Sequence, residues 1–316
     1  MTRPPIPPRV LVRAAAAFVF VAATAGCASD APHGAAPTNL FFDDFSYASP
    51  ADMPAAGWQL RDGTGHPGLP GGRFAADAIS LQDDPLQSGN RVLRMTARTD
   101  GSGPGTVQAQ LCHQRKYLQG TYAARIRFSD APRSGADGDP VIESFYAVAP
   151  LKHAFDPDFS ELDWEYLPNG GWGSDKTRLY GVSWQTVQID PWESHNSAHE
   201  EFASFDGWHV LLMQVTKNEV REFIDGRQVA VHDGRNVPVS PMTISFNLWF
   251  AVGGSPPTGG TPRVYDEDID WVFHARDQVL SPAEVDARVR SLRASHVPRT
   301  DTVPAPNPPL QQRCDI

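Results

Sequence analysis

Cysteine is scarce in this 316-residue chain, with three residues, too few for a disulfide-stapled scaffold. A chain of this length needs none, since it can bury a core as one large domain or two small ones. Positive charge is also short. The 27 Lys and Arg against 37 Asp and Glu leave a net charge of −10, which argues against a nucleic-acid partner and against a sulfated or otherwise anionic substrate. No repeat of 20–50 residues is visible, so a propeller or solenoid is not expected. The longest uncharged apolar stretch, residues 14–23, is too short to span a bilayer as a mature helix. There is no Ser nucleophile elbow, and the Gly-rich residues 252–260 lack the Lys and the strand-to-helix setting of a phosphate loop. What the chain has in quantity is 29 Pro and 26 Gly, which suits a loop-rich β protein better than long helices. Eight Trp and sixteen Phe exclude disorder throughout.

The N-terminus reads as an address. Arg3, Arg9 and Arg13 precede the apolar stretch, and Ala25-Gly26-Cys27 then places two small residues before a cysteine. Plain signal peptides end in A-x-A-like sites. The small-small-Cys junction instead resembles a bacterial lipobox, in which residues 1–26 are removed and Cys27 is lipidated; the alternative is an ordinary secretory peptide cut nearby. Removal takes away three Arg and no acid, so the acidic body would be held at a membrane by acyl chains and not by its charge. The expected location is extracytoplasmic, anchored to a bacterial cell membrane through Cys27 or secreted, with residues 27–39 as a tether. Cys112 and Cys314 remain. An oxidising compartment allows a disulfide between them, and the alternative is one buried Cys and one free thiol.

From residue 40 the chain breaks into short apolar runs punctuated by Gly, Pro, Asp and Asn. Arg125, Ile126, Arg127 and Phe128 alternate strictly, as in a strand with one wet face. Asp225-Gly226 joins two β-rich runs, residues 220–224 and 228–232, as a hairpin turn. The pattern predicts an antiparallel all-β body over residues 40–275, a two-sheet jelly-roll sandwich. One helix is expected over residues 281–296. Ser281-Pro282-Ala283-Glu284 forms a capping box, and Val285, Val289 and Leu292 form one apolar stripe to pack outside the sandwich. The Pro-rich residues 297–316 are expected to be extended or disordered.

The sharpest feature is Glu161-Leu162-Asp163-Trp164-Glu165-Tyr166. On a strand, Glu161, Asp163 and Glu165 share one face, while Leu162, Trp164 and Tyr166 point into the core. Three carboxylates in a row repel one another, so a cation or a reaction is needed to explain them. Calcium is one reading, although Glu161 and Glu165 lie about 13 Å apart along an extended strand. A salt-bridge ladder to a neighbouring strand is a second. A pair of glutamates working as nucleophile and acid in retaining glycoside hydrolysis is a third.

Glu161-Leu162-Asp163-Trp164-Glu165 resembles the E-[IL]-D-x-E signature of glycoside hydrolase family 16, the lichenase, laminarinase and xyloglucan-transglycosylase group. The flanking order is similar too. Phe41-Phe42-Asp43-Asp44-Phe45 resembles the family's opening strand, and Gly120-Thr121-Tyr122-Ala123-Ala124-Arg125-Ile126 its G-x-Y-E-A-R-I segment. Trp208-His209 through Asp225-Gly226, Phe246-Asn247-Leu248-Trp249 and Asp270-Trp271-Val272-Phe273 match later blocks. The likeness spans residues 40–275. It implies a concanavalin A-like jelly roll with a sugar cleft, Glu161 as nucleophile, Glu165 as acid/base and Asp163 as the residue tuning them. It implies a retaining, endo-acting β-glycanase hydrolysing a neutral β-1,3- or β-1,3-1,4-glucan, with a transglycosylase or a non-catalytic glycan-binding lipoprotein as alternatives. Ala124 departs from the family's acid, and residues 168–172 and 253–260 match no one subfamily, so the glycan itself stays open.

Alternation over residues 244–250 puts Ile244, Phe246, Leu248 and Phe250 in the core. Ser245, Asn247 and Trp249 then fall on the cleft side, Trp249 as a sugar-stacking candidate; packing at a core edge is its alternative. The same reasoning sends Tyr180, Val182 and Trp184 to the core and makes Gln185 the cleft residue, where lichenases have an Asn. His195 and His199 have an H-x-x-x-H spacing that needs a helix to face one ion, and Pro191, Ser194, Asn196 and Ser197 argue for a loop. No cofactor is required. The resemblance allows a structural calcium ion near Asp268 or Asp270, and a monomer is expected.

Overall fold

The computed structural model describes residues 38–84, 87–253, 258 and 261–314. The signal segment, Cys27, nearly all of the tether and most of the Gly-rich loop after Gly253 lie outside the described residues.

Two antiparallel sheets pack face to face, the jelly-roll architecture expected from the pattern. The first runs in spatial order β2 (Trp58–Leu60), β6 (Val107–His113), β15 (Ser245–Phe250), β8 (Val141–Val148), β9 (Glu161–Leu167), β10 (Arg178–Gln188) and β11 (Glu193–Glu201). The second is built on β16 (Arg263–Arg276), followed by β7 (Gly120–Phe128), β12 (Gly207–Val215), β13 (Glu219–Ile224) and β14 (Arg227–Asp233). On its other side β16 meets β5 (Arg91–Thr99), which carries β4 (Ile79–Asp83). Further along it meets β1 (Leu40–Asp43), which carries β17 (Arg299–Asp301). Short β3 (Arg73–Phe74) runs parallel to the start of β6.

The core is the set of inward positions of both sheets. Leu162, Trp164 and Tyr166 of β9 meet Phe145, Phe246, Leu111 and Leu179 on their own sheet. Facing them are Ala124, Ile126, Phe128, Leu211, Met213 and Val220. Each fully buried aromatic or large aliphatic side chain contributes about 1.5–3 kcal/mol of transfer free energy. A bulge at Asp270 exchanges the two faces of β16. Before it Tyr265 and Ile269 point inward; after it Val272 does, while Trp271 and Phe273 turn outward. That outward surface is covered by α1 (Pro282–Ala294), which starts with the expected capping box and buries Val285 and Val289 against it. The Asp225-Gly226 hairpin forms as expected, with both residues in the left-handed region, φ 49° and 82°.

Three expectations are corrected. Residues 193–201 form β11, an edge strand, and not a loop. Its polar composition reflects exposure, not irregular backbone. Residues 297–314 are ordered: β17 pairs with β1, and Cys314 is joined to Cys112 by a disulfide, which resolves the open pairing. Tyr180, Val182 and Trp184 do not face the core. Paired with Glu165, Asp163 and Glu161 on β9, they share the acids' face. The interior behind β10 is taken by Leu179, Gly181 and Ser183 instead. A Cβ on Gly181 would lie 2.3 Å from the buried Glu222 carboxylate, which sits 3.1 Å from His232.

Candidate active site

Cross-strand pairing places the acids of β9 in a ladder of residues on the outer face of the first sheet. Glu165 is level with Ser144, Asn247, Gln110 and Tyr180. Asp163 is level with Tyr146, Ser245, Cys112 and Val182, and Glu161 with Val148 and Trp184. Asp163 accepts a 2.5 Å hydrogen bond from the Trp184 indole N–H. Trp184 therefore faces the acids and tethers the middle one.

All three carboxyl groups hold their protons more tightly than free acids do. Burial, followed by the charge of Glu165, raises Glu161 to about 8. Burial raises Glu165 to about 7, against the Trp172 indole and the positive charge of Arg178. Burial and the charges of both glutamates hold Asp163 well above its ordinary range, opposed by Trp184.

This contrasts with the acids on the outer face of β16. Asp268 is gripped by Arg94 at 2.7 and 2.8 Å. Asp270 receives Arg125 and Arg293 at 2.7 Å, and Asp266 receives Arg133 at 2.5 Å. Those aspartates are the arginine ladder of a structural sheet. They do not fit a calcium ion, because guanidinium groups already supply the positive charge such an ion would bring. Among the described residues Glu161 has no such ion pair, and the ladder reading of the acidic strand fails there. No cluster of metal-ligating side chains occurs among the described residues. His195 and His199, four residues apart on an extended strand, pair instead with Glu193 and Glu201 at 3.3 and 2.9 Å.

Trp249 and Asn247 stand on the acids' face, as the alternation requires. Trp249 is 8% exposed and packs with Phe74, Ile142, Leu167 and Tyr180. Its indole nitrogen, the Asn247 side-chain oxygen and the Ser144 hydroxyl are buried with no hydrogen-bond partner among the described residues. Buried polar atoms are costly to leave unpaired, and on this face a sugar hydroxyl is one partner that could satisfy them. Gln185 is elsewhere. It is the extra residue of a bulge between Trp184 and Thr186, and its amide oxygen accepts from the Arg235 guanidinium at 2.7 Å.

Two residues of the site escaped the sequence reading. Trp172 projects from the loop after β9, its ring 5.9 Å from Trp249 and its side chain 48% exposed. That loop is held by Asn169 on Asp137 and by Arg178, whose guanidinium donates to the Gly171 carbonyl at 2.6 Å. Arg178, nearly fully buried and also bonded to Glu200 at 2.5 Å, is the second. The signal for Trp172 is the tryptophan itself in a Gly-rich loop soon after the acids; for Arg178 no local signal exists.

No protein-family model matches the chain, and no curated protein does. Solved structures do. A beta-glucanase of Bacillus licheniformis is 17% identical, with a TM-score of 0.53 over 75% of this chain and 98% of its own. A family 16 structure of Bacteroides ovatus, described for mixed-linkage glucan and bound to a G4G4G3G product, is 16% identical, with a TM-score of 0.55 over 73% and 98%. A Zobellia galactanivorans structure, solved as a mutant with laminaritriose and laminaritetraose, is 15% identical, with a TM-score of 0.53 over 76% and 99%. These likenesses show the fold.

Proposed function

We propose that the chain is a glycoside hydrolase of family 16 type, cleaving a neutral β-1,3- or β-1,3-1,4-glucan by double displacement. The observation that carries the reading is the acidic strand. Glu161, Asp163 and Glu165 lie on one sheet face with raised proton affinities, beside aromatic rings and unsatisfied polar atoms. A structural protein would neutralise such acids with arginine, as β16 does. The fold shared with β-glucanases, and the glucan oligosaccharides bound in two of them, supports the same substrate class.

Burial supplies the chemistry with its proton. Glu165, held near neutrality, donates to the glycosidic oxygen as the bond to C1 breaks. The charge on Glu165 is one of the two causes that raise Glu161. A proton on Glu165 therefore favours the ionised Glu161 that must attack C1, and the two groups titrate as a unit. Glu165, now a carboxylate, takes a proton from the water that resolves the glycosyl-enzyme. Asp163, fixed by Trp184, sits between them, and the charges of both glutamates help to keep its proton on.

Reducing-end release on a panel of β-glucans tests the reading, since a purely glycan-binding protein would release nothing. In the same assay Trp249→Ala should raise KM about tenfold or more while unfolding stays cooperative, because an aromatic face stacked on a sugar binds it in ground and transition state alike. A change confined to several kcal/mol of lost stability would make Trp249 a core residue. We further propose that the enzyme is lipid-anchored through Cys27. Cys27→Ser should move it from the membrane fraction to the medium, and a wild type that is already soluble and begins at another residue would overturn the anchor.

A further inference from the structure

An endo mode of cleavage needs a binding face open on both sides of the acids. Here one side is covered, and the cover is the tail segment that holds Gln312 and Cys314. Cys112 is on β6, on the acids' face, level with Ser245, Tyr146 and Asp163 on the next three strands of the sheet. The disulfide to Cys314 therefore fastens the tail onto that face and not onto an outer edge. The Cys314 carbonyl accepts from the Gln110 amide at 2.7 Å and from the Tyr146 hydroxyl at 2.5 Å. Gln312 donates to the Cys112 and Gly57 carbonyls at 2.9 and 3.1 Å, filling the flank toward β2. The result shows in exposure. Gln110, Cys112 and Ser245 are 0% exposed and Tyr146 is 5% exposed, although all four point away from the core. Tyr146 is the direct cross-strand neighbour of Asp163, so Cys314 lies against the strand next to the acids.

We propose that the disulfide-tied tail is an end-stop that keeps a glycan off the Gln110, Cys112 and Tyr146 corner of the face and so sets where along a chain the enzyme cuts. The polar groups a sugar would use at that corner, Gln110 of β6 and Tyr146 of β8 above all, already serve the Cys314 carbonyl. A glycan reaching across them must displace a segment tethered at high effective concentration. Sugars added on that side gain no binding energy with the tail in place and gain it once the tail is gone. Binding energy from sugars remote from the cut is what accelerates long substrates over short ones.

This proposal rests on the β-glucanase reading, and its test separates the two. The wild type is compared with a protein lacking residues 312–316 and carrying Cys112→Ser, and with full-length Cys314→Ser, each checked for cooperative thermal unfolding. End-labelled β-1,3- and mixed-linkage gluco-oligosaccharides of three to eight sugars are the probes, read by kcat/KM and by the position of the cut. The wild type should show kcat/KM nearly level with length and one preferred cut near a chain end. The shortened protein should gain about tenfold or more between three and six sugars and cut internally, with Cys314→Ser moving in the same direction. Identical length profiles and cuts in the wild type and the shortened protein would overturn the end-stop while leaving the hydrolase reading intact. If neither protein cuts any oligosaccharide, the hydrolase reading fails, and calorimetric binding of a hexasaccharide decides the end-stop. About tenfold tighter binding by the shortened protein upholds it, and equal or absent binding overturns it. Should the shortened protein not unfold cooperatively, the same comparison is made on the wild type before and after reduction of the disulfide under native conditions.

Discussion

Glu161→Ala should lower kcat on every glycan by roughly 10⁴-fold or more, with no substrate spared, because no covalent intermediate can form without the attacking carboxylate. The same position gives a second, independent readout in stability. Burial and the Glu165 charge raise the Glu161 carboxyl to about 8 in the folded protein, against about 4.5 when unfolded. A carboxyl with a raised folded pKa binds its proton more tightly in the native state. Its contribution is therefore present below pH 4.5 and is lost as pH rises through 8. Glu161→Gln keeps the shape and cannot ionise. It should match the wild type near pH 4 and exceed it near pH 8, by roughly 2 kcal/mol after allowance for solvent near the group, or a rise of several degrees in Tm. Equal stability curves across this range would mean that Glu161 is not the electrostatic burden the site geometry makes it.

Glu165→Ala should fail differently. A natural glucan needs a proton on its leaving oxygen and should lose about 10²–10⁴-fold in kcat/KM, whereas an aryl oligoglucoside with an activated leaving group should keep much of its first step. Azide entering the space left by Glu165 should then resolve the glycosyl-enzyme to a β-glycosyl azide, the product of two inversions. With Glu161→Ala, azide should attack directly and give the α-azide, the product of one. Chromatography and NMR of the azides read the two roles separately, and azides of the same configuration from both variants would overturn the division of labour.

The acidic strand was legible because its own residues fix its parity. Leu162, Trp164 and Tyr166 can only be core, so Glu161, Asp163 and Glu165 must be outside. β15 was legible for the same reason. β10 was not, because Tyr180 and Trp184 are large aromatics that alternation assigns to the core, while they cover the acids from the outside. The register between β9 and β10 decides the matter, and no local pattern encodes it. The residues behind β10 also mislead, since a buried Glu222–His232 pair next to Gly181 occupies a place where apolar side chains are expected. β16 hides its change of face in one bulged residue, Asp270. The position of Cys314 is a further case. Composition says that a Pro-rich tail is extended, but only the partner of its cysteine determines which face it crosses.

The central claim is that Glu161 and Glu165 act on opposite sides of one glycosidic bond by two successive inversions. Proton NMR of the first product released from a β-glucan oligosaccharide, followed before mutarotation sets in, tests it most directly. The β-anomer should appear first and the α-anomer grow in later. An α-anomer at the outset would mean a single displacement and contradict the assignment of Glu161 as nucleophile.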